Sequence, residues 1–288
     1  MQAGFEGFER AIASTGATPK IVDGVKPEAD ALRTALETLA NGGAEIIAAH
    51  GGQCDSAVRD IAPRYPGIQF VVIQGSAAEG NTTSYEVLQE QSAWLAGAYA
   101  ALTTKTGVVG HISGIRVPPG LKGRAGYAAG VATANPDVKL LTTFCGQQDD
   151  SALARDVTLA QAAAGADIIF TMLNAGRTGA IDGCREAGIS QIGNVKDWYP
   201  VAPDVFVASA IADVSVAMET AVVDLLSGTP VAGSHRRMGL ADGAAVSLAM
   251  SPDTPSDVRK AIDEYAEKIA KGEIEVPVQY DGAEFDPT

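Results

Sequence analysis

The feature that most restricts what this chain can fold into is an alternation of short, near-continuous apolar runs with helical patterns, separated by turn residues. Runs of strand length lie at 20–22, 45–49, 69–73, 108–113, 139–144, 167–172, 191–194 and 205–208. Helical periodicity occupies 27–39, 56–62, 87–102, 122–134, 151–164 and 178–187. Strands that are apolar throughout are covered on both faces, and a helix after a strand returns the chain for a parallel neighbour. The pattern predicts an α/β protein built on doubly wound parallel sheets. One unit recurs: Ala44-Glu45-Ile46-Ile47, a glycine loop, a helix and Gln69-Phe70-Val71 reappear as Ala166-Asp167-Ile168-Ile169, a loop with Gly176, a helix and Gln191-Ile192-Gly193. This is either the shared grammar of any strand–loop–helix–strand unit or a sign of two similar lobes.

Two amphipathic helices follow, 214–227 before Gly228 and 255–271 before Gly272, with extended chain at 236–250 between them. A chain that builds one lobe, then a second, then returns with a single helix passes between lobes three times, as hinged two-lobe binding proteins do. With 46% hydrophobic residues over 288 positions, two medium domains can each bury a core. The net charge of −14 repels phosphate backbones and anionic headgroups, which argues against nucleic-acid partners. Cys54, Cys145 and Cys184 are widely spaced without a C-x-x-C pair, so free thiols are expected. The longest apolar stretches, such as 94–102, fall short of the roughly 20 residues a membrane helix needs. The opening Met1 to Glu6 has neither a basic nor an apolar leader pattern.

Catalytic signatures are missing. There is no phosphate-cradling G-x-x-x-x-G-K-[ST], no H-E-x-x-H and no G-x-S-x-G elbow, and Gly123, Gly126 and Gly130 do not fit the dinucleotide spacing. No motif calls for a metal or cofactor. Asp149-Asp150 reads as a turn capping the helix at Ser151, and Asn81-Thr82-Thr83 matches the glycosylation sequon. Ligands of open parallel sheets sit beyond the carboxyl ends of the strands. The loops there carry His50, Gln53, Asp55, Asn174, Gly176, Asn194, Asp197 and Trp198, a set suited to a small neutral polar or heteroaromatic solute. The alternative reading of His50 is a scaffold histidine, and that of Asp55 a helix cap.

Several runs then carry a resemblance. Gln89 to Ala101 (QEQSAWLAGAYAA), Thr104-Lys105-Thr106-Gly107-Val108-Val109-Gly110, Val117-Pro118, Gly126-Tyr127-Ala128-Ala129-Gly130, Asn135-Pro136, Gly165-Ala166-Asp167-Ile168-Ile169, Ile192-Gly193 and Lys271 to Pro277 (KGEIEVP) resemble, in order and spacing, the basic membrane protein family. Its members are solute receptors of ABC importers, many of them for purine nucleosides. The resemblance covers nearly the whole chain. It implies the type I periplasmic-binding-protein fold, two lobes joined by a hinge, here residues 1–105 with 209–233 and 106–208 with 234–288. It also implies permease and ATPase partners, and a location in the periplasm or, by a lipid anchor, at the outer face of the membrane.

Departures from the family bear on the ligand. The ribose-holding aspartate of nucleoside-binding members aligns with Val195, and their lysine with Ala212. Losing both together fits a ligand without ribose, because a buried carboxylate and ammonium persist only when partnered. The first-lobe aspartate is matched by Asp55, so recognition of the heterocycle is expected to survive. Members also open with a central apolar strand of which only Gln2 remains here, so a longer natural start is expected. The expectation is a non-enzymatic receptor that closes two lobes over a purine base or nucleoside, with stacking on Trp198. The competing reading is a nucleobase- or sugar-processing enzyme on a doubly wound fold.

Overall fold

The computed structural model describes residues 2–229 and 232–287. In chain order its elements are α1 (Gln2–Thr15), α2 (Ala29–Asn41), β1 (Ile46–His50), α3 (Asp55–Ile61), β2 (Gln69–Ile73), β3 (Thr82–Val87) and α4 (Gln89–Thr103). Then come β4 (Val108–Ser113), α5 (Pro118–Ala134), β5 (Lys139–Phe144), α6 (Ser151–Ala163), β6 (Ile168–Met172), α7 (Arg177–Ala187), β7 (Ser190–Val195) and β8 (Phe206–Ala212). The last are α8 (Val214–Leu226), β9 (His235–Met238), β10 (Val246–Met250) and α9 (Ser256–Ala270). They form two compact units, Met1–Val87 with Asp213–Met238, and Leu88–Ala212 with Gly239–Thr288.

The first unit holds a four-stranded sheet in the order β1-β2-β3-β9, parallel throughout. The apolar sides of α2 and α3 (Leu32, Leu36, Val58, Ile61) close over Ile47, Phe70 and Val72. Helix α8 packs on α1 and on the sheet. The α1–α8 approach is backbone-close, since a Cβ on Gly7 would stand 2.1 Å from the Ser215 carbonyl oxygen. The strand expected at 20–22 is instead coil, with Ile21 53% exposed. The sheet ends at β1, and this segment does not pair with that edge. Strand β3 was not legible as an apolar run because Thr82, Thr83 and Ser84 fill the sheet interior. The preceding sequon residue is structural, its Nδ2 donating to the carbonyls of Ala62, Tyr65 and Ile68 at 2.7 to 3.1 Å.

The second unit has a six-stranded sheet, β10-β8-β7-β6-β4-β5, parallel except where β10 runs against β8. Helix α4 belongs here, so the chain first leaves the opening unit after Val87 rather than near residue 105. The cause is its packing: α4 is buried nearly all round and crosses α5 at backbone contact. Added Cβ atoms would lie 2.0 Å from the Tyr127 carbonyl at Gly97, 2.2 Å from that of Glu90 at Gly126, and 2.0 Å from that of Trp94 at Gly130. Of the glycines that failed a nucleotide-binding spacing, Gly126 and Gly130 thus serve a helix crossing, while Gly123 leaves room for the Met172 side chain. Helix α5 starts at Pro118, four residues before its expected start, because prolines fit the first helical turn, where the amide is unpaired anyway. The Thr104–Gly107 turn is tied by Asp167, which accepts from Thr104 Oγ1 and the Lys105 amide at 2.6 Å each. The final segment lies along β5, with Phe285 N donating to Thr142 O at 2.8 Å. Its Glu284 pairs with Arg116 and Arg124, which hold the carboxyl below the usual range.

Candidate functional site

Beyond the carboxyl ends of β4, β6 and β7 the second unit carries a partly open cavity of about 350 Å³. Such a volume suits a small organic solute. Ser113 lines it from the end of β4, Leu173 and Asn174 from the loop after β6, Asn194 and Val195 from the end of β7, and Lys196 and Trp198 from the loop beyond. Gln89 at the start of α4, Gln148 before α6 and Arg177 at the first position of α7 complete the polar wall. Among the described residues no aspartate or glutamate lines the cavity.

Trp198 anchors the wall. Its indole Nε1 donates to the Asn194 carbonyl at 2.9 Å and its amide to Ser209 Oγ at 3.0 Å. Its ring occupies the space a side chain at Gly193 would need, since a Cβ there would sit 2.5 Å from Cδ1. The Arg177 guanidinium carbon lies 4.1 Å from the ring centroid and Lys196 Nζ 4.7 Å from it. Cations are attracted to the negative face of an indole, so Trp198 seats the guanidinium. Arg177 is 5% exposed, and burial pushes its pKa down to about 10, leaving it protonated at neutral pH. Its Nη2 donates to Leu173 O and Asn194 Oδ1, while Nε and Nη1 have no acceptor.

Val195 is strained. Its φ of 74° is left-handed, a region β-branched residues rarely enter, and the strain is carried at the rim of the cavity. Ala212 is buried at the end of β8 opposite Val246.

The residues singled out from sequence therefore divide. Asn174, Asn194 and Trp198 line one cavity. Gly176 stands beside it as the N-cap of α7, its amide on Gln148 O at 3.1 Å, where a Cβ would come within 2.9 Å of that same oxygen. Asp197 turns its carboxylate to the Tyr199 amide at 3.0 Å. In the first unit, His50 lies beneath α1, where a Cβ on Gly4 would meet its Nδ1 at 2.6 Å, and burial lowers its pKa. Gln53 donates to the His50 carbonyl at 3.2 Å. The Asp55 carboxylate is fully engaged by one loop, accepting from the amides of Ser76 and Ala77 and from Ser76 Oγ at 2.9 to 3.0 Å.

Arg177 and Lys196 were passed over in the sequence. Each sits beside a residue that was chosen, so the strand-end position that marked Gly176 and Asp197 marks them equally. His111 is scaffold: it is fully buried, pairs with Thr142 Oγ1 and Ser113 Oγ at 2.9 Å each, and is pushed down to about 3 by burial.

Residues 2–280 match the model of the Bmp family, described as ABC transporter substrate-binding protein PnrA-like. Basic membrane protein A2 of Borrelia garinii subsp. bavariensis is 28% identical over 84% of this chain and 74% of its own. A purine-binding protein of Brucella abortus is 25% identical over 88% of this chain and 71% of its own. Among solved structures, a transcriptional activator of the comK gene from Bacillus halodurans superposes with a TM-score of 0.84 at 19% identity, covering 96% of this chain and 95% of that one. An ABC transporter solute-binding protein from Aeropyrum pernix K1 does so with a TM-score of 0.79 at 21% identity, covering 97% and 90%. At these identities the superpositions show the fold, that of periplasmic binding proteins.

Proposed function

The chain belongs to the family of PnrA-like ABC transporter substrate-binding proteins, and we propose that within it this member binds a purine base or a closely similar planar heteroaromatic and delivers it to an importer's permease and ATPase subunits. The observation that carries the reading is the cavity at the strand ends, where one indole and the amides of Gln148, Asn174 and Asn194 surround a volume of base size. Asparagine and glutamine offer both donors and acceptors, which suits the mixed edges of a heterocycle. The purine-binding relative in Brucella abortus supports the same class. The role is a non-enzymatic one, exercised outside the membrane in the periplasm or from a lipid anchor.

Val195 and Ala212 stand where nucleoside-binding members place a ribose-holding pair, and neither side chain can hydrogen-bond a sugar hydroxyl. The proposal is therefore that the base is preferred to its riboside. Calorimetry with adenine, guanine, xanthine and their ribosides tests this. A riboside preferred tenfold over its base, about 1.4 kcal/mol, would overturn it.

A further inference from the structure

We infer that the solute carries an anionic oxygen group and that Arg177 is the residue that selects it, so that the ligand class is a planar heteroaromatic anion: an oxopurine that is ionised at neutral pH or a heteroaromatic carboxylate. The inference rests on the receptor reading above and narrows it.

A guanidinium carries five N–H donors and no acceptor. Arg177 commits Nη2 to Leu173 O and Asn194 Oδ1, and its plane to Trp198, which leaves Nε and Nη1 buried without an acceptor. A buried cation without a carboxylate partner is costly, and the cost recurs in every copy of the protein unless something arrives to offset it. Among the described residues no ion pair is formed by Arg177, although nearly every other arginine near an acidic side chain is paired. The cavity wall adds a second cation, Lys196, and no acid. The carboxylate of Asp197, adjacent in sequence to Lys196 and Trp198, is turned to the Tyr199 amide. In a chain of net charge −14, two cations facing a cavity from which acidic side chains are absent mark a site complementary to negative charge. The seat is also pre-organised: Trp198 is fixed by two hydrogen bonds and by close contact with Gly193, so it holds the guanidinium before ligand arrives. A planar anion whose oxygen meets the unused N–H groups would lie among the amides of Asn174, Asn194 and Gln148.

The test is calorimetry on the whole chain with four probes: urate as the ionised oxopurine, orotate as the heteroaromatic carboxylate, and adenine and hypoxanthine as neutral bases. The expected result is that urate or orotate binds at least tenfold more tightly than either neutral base. The arm that binds separates the two sources of the anionic oxygen. Arg177→Gln is expected to abolish the preference, weakening the anion at least tenfold more than it weakens a neutral base. Because Arg177 is buried and its replacement can impair folding, the exposed Lys196 supplies a second variant, and Lys196→Gln is expected to weaken only the anion, three- to tenfold. Neutral bases binding as tightly as both anions, no binding by either anion, or anion affinity untouched in both variants would each overturn the inference. The two readings fail separately: tight adenine with weak anions leaves the purine receptor standing without its anion selectivity, whereas orotate binding with no affinity for any purine keeps the selectivity and removes the purine.

Discussion

Asp55 is the residue on which sequence and structure assign different work, and its replacement separates them. As a ligand group it would aim a strong acceptor at a heterocycle. In the structure both oxygens are occupied by one loop, with Ser76 N, Ser76 Oγ and Ala77 N all within 3.0 Å. Gly75 makes the approach possible, because a Cβ there would lie 2.4 Å from Asp55 Oδ1. In Asp55→Ala the Ser76 groups regain water, since Ser76 is exposed, but the amide of fully buried Ala77 loses its acceptor. Stranding a buried donor costs about 1–3 kcal/mol, and losing hydrogen bonds to a charged acceptor brings the total to roughly 2–4 kcal/mol. For a unit of this size that is a fall in Tm of roughly 5–15 °C. Asp55→Asn keeps one acceptor but turns an NH₂ toward two amide donors, so it should lose about half as much. Scanning calorimetry of both variants, with ligand titration at a temperature where each is folded, checks the reasoning. Normal Tm in Asp55→Ala together with a tenfold loss of affinity would refute it and restore Asp55 to ligand recognition.

Three further outcomes are expected. Val195→Asn relieves a left-handed β-branched backbone at a position 37% exposed, and should raise stability by about 1 kcal/mol, read as a higher urea midpoint at unchanged slope. His111 is neutral in the fold to about pH 3 but takes up a proton in the unfolded chain below about 6.5, so its contribution is intact above pH 6.5 and declines as pH falls from there toward 3. Between pH 7 and 5 the wild type should lose about 2 kcal/mol more than His111→Asn, measured by urea unfolding at each pH. Gly97→Ala, which drives a Cβ into the Tyr127 carbonyl, should cost about 3 kcal/mol or more by denaturant unfolding, whereas Gly243→Ala, with open space around it, should fall within about 0.5 kcal/mol of wild type.

The limits of what could be read from the chain follow from where each signal resides. Strands β2, β4 and β5 were legible to the residue: the apolar Phe70-Val71-Val72-Ile73 marks β2, and Val108-Val109 with Ile112, and Leu140-Leu141 with Phe144, mark β4 and β5 although His111, Thr142 and Thr143 are polar and buried. Strand β3 is as deeply buried, but Thr82, Thr83 and Ser84 fill it, and hydrophobicity carries no mark of a polar strand held by backbone pairing to β2 on one side and β9 on the other. The run at 20–22 shows the converse, since its composition is strand-like yet it enters no ladder, and a strand exists only where its backbone is paired with a neighbour. At the site, position was legible and occupancy was not. The strand-end loops bring Asn174, Asn194 and Trp198 to one cavity. Whether a charged group there is free for a ligand depends on what the rest of the fold brings to it. Three donors from the Ser76–Ala77 loop occupy Asp55, which sequence marked as the recognition group. Arg177, one residue past the glycine that sequence did select, is left with two nitrogens unclaimed. A charge is available for recognition when its own fold has not already neutralised it, and by that criterion the recognition chemistry of the second unit's cavity is cationic, with its selectivity resting on the guanidinium held against Trp198.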